Sequence, residues 1–360
     1  GHALIAGLLA VFPPLFAEKV HWALLVLALA SAGHCMVRAW SGRTDARALL
    51  LLPILLGQLF VFGFYNFLWG VAASLWCAAW WCRVPGYRWH HRLILPLCTA
   101  LVWSCHGSCV FFFFALILAI EVSAPRPSPL LRSLWALVAF TPAFVALWYF
   151  NAGQKQDWSG FTFEELALRL ARMEWSVWYD GSRERVMSLA LGIAMLIGVF
   201  FALRRGAGVR YRRRWPLPVL VVLFLVAYFT IPDDTGYANF ISVRLASLFA
   251  LVLALWICVQ PLFPKWATAA IGGLAVVALI GKLDIAAKEG TQARKDRDVL
   301  MSAAATMRPG DVVLPIWRDD RWLYQHRADV LGLSLPLRLL ENSECNKRYF
   351  PLVWDDALPE

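Results

Sequence analysis

Asp233 and Asp234 stand side by side after Pro232, at the end of one long apolar run, and Arg244 lies one turn into the next. Neighbouring carboxylates repel when both are ionised, so one of them holds its proton more tightly and can serve as a base. The pair can equally hold a divalent cation against a phosphate. Arg244 presents a planar fork of N–H donors that matches a phosphate. His106, in Ser104-Cys105-His106-Gly107-Ser108-Cys109, falls between two further apolar runs. An ionisable group at membrane depth points to function, and imidazole can donate to a phosphate or accept a proton. Tyr65 and Asn66, in Gly63-Phe64-Tyr65-Asn66-Phe67-Leu68, bring a phenol and an amide able to orient a sugar hydroxyl. Tyr237, in the aspartate loop, and His326, late in the chain, complete the polar candidates.

Each candidate has a plainer structural reading. The aspartates can cap a helix, Arg244 can snorkel to an interface, and His106 can bond a neighbouring helix. Asparagine and glycine are ordinary turn formers, and His326 can simply cover the molecule. Cys105, His106 and Cys109 invite a metal reading, but a closed site needs four ligands and no second Cys/His pair lies nearby in sequence. No metal site is expected there, and the only cofactor the residues admit is a divalent cation.

What positions these residues follows from composition. Of 360 residues, 60% are apolar and 16% charged, and the mean hydropathy is +0.59, far beyond the needs of one soluble core. The expected fold class is therefore an all-α polytopic membrane protein with about 9–11 membrane segments. The net charge of +10 is not a nucleic-acid signal, because its arginines cluster beside apolar runs. The eight cysteines are scattered over those runs rather than set in a disulfide framework. Expected segments are a partial one at 3–17, then 20–38, 48–64, 66–82, 93–105, 108–122, 133–150, 186–203, 215–231, 242–261 and 266–282. Gly107 and Ser108 predict a hairpin turn between the fifth and sixth of these. Pro13 and Pro14 interrupt the first, which has no signal-peptide features, and a missing N-terminal part is expected.

Connector charges assign the sides. Residues 204–214 hold six arginines and no acid, whereas 232–244 hold Asp233 and Asp234 with Arg244 at the far edge. With 204–214 on the cytoplasmic side, counting back places 38–47, 83–92 and 125–132 there too, and all three carry an arginine excess. The opposite side then holds the Tyr65 and His106 tips, the connector 151–185, the aspartate loop and everything after Lys282. In a bacterial inner membrane that side is the periplasm. Within the connector, Phe163, Leu166, Leu170 and Met173 recur at spacings of three and four, which predicts an amphipathic helix, either a surface strut or a lid over a site for a lipid-linked substrate. Thr162 and Glu165 resemble a capping box. The transmembrane domain is read as 1–283. Residues 284–360, with the turn Arg308-Pro309-Gly310-Asp311 before an apolar run from Val312, are read as a small extracytoplasmic α/β appendage.

The succession Gly63-Phe64-Tyr65-Asn66-Phe67-Leu68, a histidine in the next apolar pair, an Arg244-bearing span after a polar loop, and a final Pro-Gly-Asp strand with His326 resembles bacterial multi-pass glycosyltransferases of the GT-C type. The resemblance covers most of the chain. It implies an enzyme of the outer leaflet that moves a sugar from a polyprenyl phosphate carrier to an acceptor, with membrane lipid and partner membrane subunits as its company. It also implies an acidic base in the first outer loop, where this chain has only Glu18-Lys19. Either that segment precedes Gly1, or Asp233 and Asp234 replace it, or the chain is a noncatalytic subunit. A transporter is the third reading, and it calls for broken helices or an internal repeat. Convergence of Asp233, His106 and Arg244 on one cavity would favour the enzyme.

Overall fold

The computed structural model describes residues 2–84, 89–123, 129–152, 160–179, 181–204, 215–234, 239–261, 263–313, 331, 335 and 337–339. Its helices are α1 (His2–Leu9), α2 (Pro14–Ser41), α3 (Leu51–Leu55), α4 (Gln58–Val61), α5 (Tyr65–Arg83), α6 (Trp89–Cys105) and α7 (Cys109–Ser123). They continue as α8 (Pro129–Ala152), α9 (Phe163–Ala171), α10 (Arg185–Arg204), α11 (Pro216–Thr230), α12 (Ile241–Val259) and α13 (Lys265–Ala304). Four of them, α2, α10, α12 and α13, are long and apolar enough to cross a membrane, and shorter apolar helices pack around them, α11 on α12 and α7 on α5 and α11. The protein is an all-α polytopic membrane protein.

The bundle has an aspartate end, where α12 starts beside Asp233, and an arginine end, where α10 stops at Arg204. His21 near the start of α2 packs on Tyr65 and Trp69 near the start of α5, so these two helices run parallel. The chain from 42 to 64 therefore travels back between them. A continuous span over 48–64 was the expectation; the structure instead makes the return in pieces, a 3₁₀ turn at Ala46–Leu50 followed by α3 and α4. Pro53 removes a backbone donor there, and Gly57 and Gly63 interrupt what remains. A Cβ on Gly57 would lie 2.9 Å from the Trp175 carbonyl oxygen, so the break also seats the connector between α9 and α10.

The first expected segment, 3–17, is corrected as well. Helix α1 stops at Leu9, and Pro14 opens α2, where a missing N–H costs nothing. Helix α2 closes on Gly42, at φ +79°, whose N–H reaches the Arg38 carbonyl. At the other end of the chain α13 runs unbroken through the boundary drawn at 283. Its 40 residues rise about 60 Å at ~1.5 Å each, against roughly 30 Å of hydrocarbon, so the composition change at 284 is a change of surroundings within one helix.

Two buried cations pin the bundle. Arg47, 1% exposed, donates to the Ile257 and Gln260 carbonyls, both at 2.9 Å, and forks onto Asp45. It thereby caps the C-terminus of α12, where carbonyls lack intrahelical partners and the helix dipole is negative. Lys282 of α13, wholly buried, donates to the Ser176 carbonyl and pairs with Glu184 at 3.3 Å. Glu184 also accepts from the Trp178 and Tyr179 amides, which ties the connector to α13.

The strand expected from Val312 is present over its described residues: β1 (Val312–Val313) pairs in parallel with β2 (Arg338–Leu339). Leu331 and Ala304 are buried beside it with Leu300 and Met307 around them.

Candidate functional site

Helix α5 divides two polar neighbourhoods at the aspartate end. Phe64 and Phe67 face α12, where the Arg244 guanidinium lies 4.7 Å from the first ring centre and 5.8 Å from the second. Phe67 also meets His106 edge to face at 5.5 Å, and its carbonyl accepts from the Cys109 thiol. The turn at His106–Ser108 separates α6 from α7, as its glycine and serine predict. It sits tight on α5 because a Cβ on Gly70 would fall 2.6 Å from the Cys109 sulfur. Arg244 and His106 thus converge. The Nε of Arg244 is buried and has no hydrogen-bond partner.

His106 shares a 2.8 Å hydrogen bond between its Nδ1 and the Ser108 hydroxyl. Burial first, and the nearby Arg244 charge second, hold its pKa down to about 4. The imidazole is neutral at pH 7. His106 is therefore a hydrogen-bonding group at this mouth, and the cation beside it is Arg244.

Asp233 joins the same end. Its Oδ1 accepts from the Ser242 amide at 2.8 Å and the Ser242 hydroxyl at 2.5 Å, two residues before Arg244, and its charge acts on the guanidinium. The capping reading of Asp233 is therefore realised. Oδ2 remains as the oxygen able to take a proton. Asp234 is half-buried beside it. Phe240, at φ +59°, turns the chain into α12 and packs on Phe62 and Phe64, closing the back of the mouth.

Tyr65 lies elsewhere. Its ring packs on His21, Trp22 and Phe60, on the side of α5 away from Arg244. Asn66 follows about 100° further round the helix, also off the face of Phe64 and Phe67. Tyr237 and His326 lie outside the described residues. His21 is a buried residue that sequence reasoning passed over. The Trp69 indole N–H donates to its Nε2 at 3.1 Å, which leaves the proton on Nδ1, a buried atom without a partner. A lone histidine in an apolar run gives no hint of the tryptophan that fixes it.

The amphipathic connector helix forms as α9, with both capping-box bonds between Thr162 and Glu165 in place. It is shorter than expected, since Met173 adopts φ +54° and ends the pattern; Leu166 is buried, whereas Phe163 is exposed and stacks on Phe229. The buried Tyr228 hydroxyl donates to the Leu166 carbonyl at 2.9 Å, so α9 is a strut fixed to α11.

Beside the mouth opens a groove of about 650 Å³, walled by α7 and α11 and backed by the first half of α12. Ser108 and Arg244 lie at its aspartate end and the Trp215 indole at the other; the remaining lining is apolar. Among the described residues, no three His, Cys, Asp or Glu side chains gather in a metal-binding group. Comparison with protein-family models, with curated proteins and with solved structures finds no match to this chain.

Proposed function

We propose that this chain is an integral membrane glycosyltransferase of GT-C-like architecture, moving a sugar from a polyprenyl phosphate carrier to an acceptor at the outer face of a bacterial inner membrane, with the tail after Lys282 in the periplasm. The observation that carries this reading is the meeting of Arg244, His106 and Asp233 at one end of the bundle, beside an apolar groove. In the reaction the acceptor oxygen bonds to the anomeric carbon and the bond from that carbon to the phosphate oxygen breaks. The acceptor proton passes to a carboxylate, Asp233 through Oδ2 or Asp234, and the polyprenyl phosphate departs with the bonding pair. Arg244 stabilises the charge that gathers on it, in a site poor in water. A divalent cation at the aspartate pair would assist the same phosphate.

The test is to supply lipid-embedded protein with a panel of polyprenyl-phosphate sugars and follow release of the carrier. Transfer that falls at least about a hundredfold in Arg244→Gln supports the reading; a folded protein inert towards every donor and acceptor removes it. One observation favours a second reading, a noncatalytic subunit of a membrane complex: Oδ1 of Asp233 is committed to capping α12. Co-purification of a partner membrane protein whose loss unfolds this chain would support that alternative.

A further inference from the structure

We infer that the groove between α7 and α11 is the seat of one hydrocarbon chain of a single-chain lipid phosphate, entering sideways from the bilayer with its phosphate on Arg244. This deepens the reading above and rests on it for the identity of the chain as isoprenoid.

The groove's length argues for a lipid tail. Its lining follows α11 from Trp215 to Ile231 and the antiparallel α7 from Ser108 to Val122. Sixteen residues of rise along α11 make about 24 Å at ~1.5 Å each, most of the roughly 30 Å hydrocarbon thickness. A solute pocket has no reason to extend so far along the bilayer normal. Its volume argues for one chain. At about 650 Å³ the groove falls within the ~300–1,000 Å³ that holds a single small ligand, and a two-chained lipid would leave its second chain in the bilayer. Phe112, one turn into α7, and Phe224 of α11, with ring centres 6.0 Å apart, bridge the two helices and form part of the floor, so the chain lies over them there.

Charge sets the direction. Among the described residues the polar lining at the arginine end is an indole, whereas the aspartate end carries a guanidinium. Phe64 and Phe67 hold that guanidinium through its face, and its Nε is buried without an acceptor. The guanidinium also lines the groove's head, where a phosphate oxygen takes charge-assisted bonds from its terminal N–H groups, and a small turn of the side chain would bring the unbonded Nε, costly to bury, into the same contact. Ser108, on the other lip, offers a hydroxyl to the same headgroup.

The experiment is photolabelling of the full chain in lipid nanodiscs with three diazirine probes: an isoprenyl monophosphate, the matching isoprenol, and a phosphatidylglycerol labelled in one chain. The expected result is that the monophosphate marks α7 and α11 at least about tenfold more than the other two, and that Arg244→Gln removes this excess. Leu223→Trp, at an exposed position of the wall, fills the groove without disturbing the packed interior, so it should abolish labelling while the melting temperature is kept. Equal labelling by the isoprenol, stronger labelling by phosphatidylglycerol, or undiminished labelling of a folded Leu223→Trp variant would each overturn the proposal. Sugar transfer by a protein whose groove is never labelled overturns this inference and leaves the enzyme standing. Groove labelling in a protein inert to all donors does the reverse.

Discussion

His106 is neutral because its surroundings penalise the imidazolium, and that makes a pH dependence. Its folded pKa of about 4 lies below the ordinary 6.5. Between those values the unfolded chain binds the extra proton, so stability is full above pH 6.5, declines as pH falls towards 4, and levels off below. Taken over that interval the contribution reaches about 3 kcal/mol, from ~1.36 kcal/mol per pH unit. Wild type and His106→Asn should therefore diverge in thermal midpoint at pH 7 and converge towards pH 4; parallel curves would show that His106 is not held neutral. Asp233 poses the other question at this scale, whether a capping carboxylate also does chemistry. Asparagine caps as well as aspartate but takes no proton. Asp233→Asn should keep stability within about 0.5 kcal/mol while sugar transfer falls ~10²–10⁴-fold. Unchanged transfer would leave Asp234 as the base.

Among elements, the connector between α9 and α10 is anchored by a buried ion pair. Lys282 and Glu184 are both fully buried, and each answers the other's charge. Removing Lys282 takes the cation from beside a buried carboxylate, so Lys282→Met should cost about 3–5 kcal/mol. Adding Glu184→Gln should recover most of this, because the amide oxygen still accepts from the Trp178 and Tyr179 backbones. Chemical denaturation in mild detergent measures the cycle, and additive losses would mean that the two side chains are not coupled. Burial, followed by the charges of Glu184 and Glu289, raises the Tyr179 pKa, a further sign that this connector is packed against the bundle. The broken return over 46–61 is its counterpart on the other flank, since Gly57 lets the Trp175 carbonyl come close.

For the whole molecule the orientation is the testable matter. Glu164 on α9 and Arg43 beyond α2 are both exposed, at opposite ends of the bundle. With arginine-rich connectors on the cytoplasmic side, an impermeant maleimide added to intact cells should label Glu164→Cys and spare Arg43→Cys, and permeabilisation should expose the second. The opposite pattern would turn the protein over and put Arg244 and the groove's head on the cytoplasmic leaflet. In either orientation the charged half of α13 continues beyond Lys282 on the side of the aspartate end, towards the β1–β2 pair.

Composition and charge placement determined the class of this protein. Apolar stretches of that length have no stable place in water, so the membrane helices are local properties of the chain. The turn at His106–Ser108, the capping box at Thr162 and the strand start at Val312 were legible for the same reason: each depends on residues within a few positions of one another. The break at 46–61 was partly written in Pro53 and Gly57, yet its fit against Trp175 was not. Tertiary structure alone decided that Arg244 rests on Phe64 and Phe67 while Tyr65 turns to His21, that Arg47 caps a helix more than two hundred residues away, and that Lys282 is buried. It alone decided the groove, since apolar residues run right round α7 and α11 and leave almost no periodic mark of which side meets a neighbour and which meets a lipid chain.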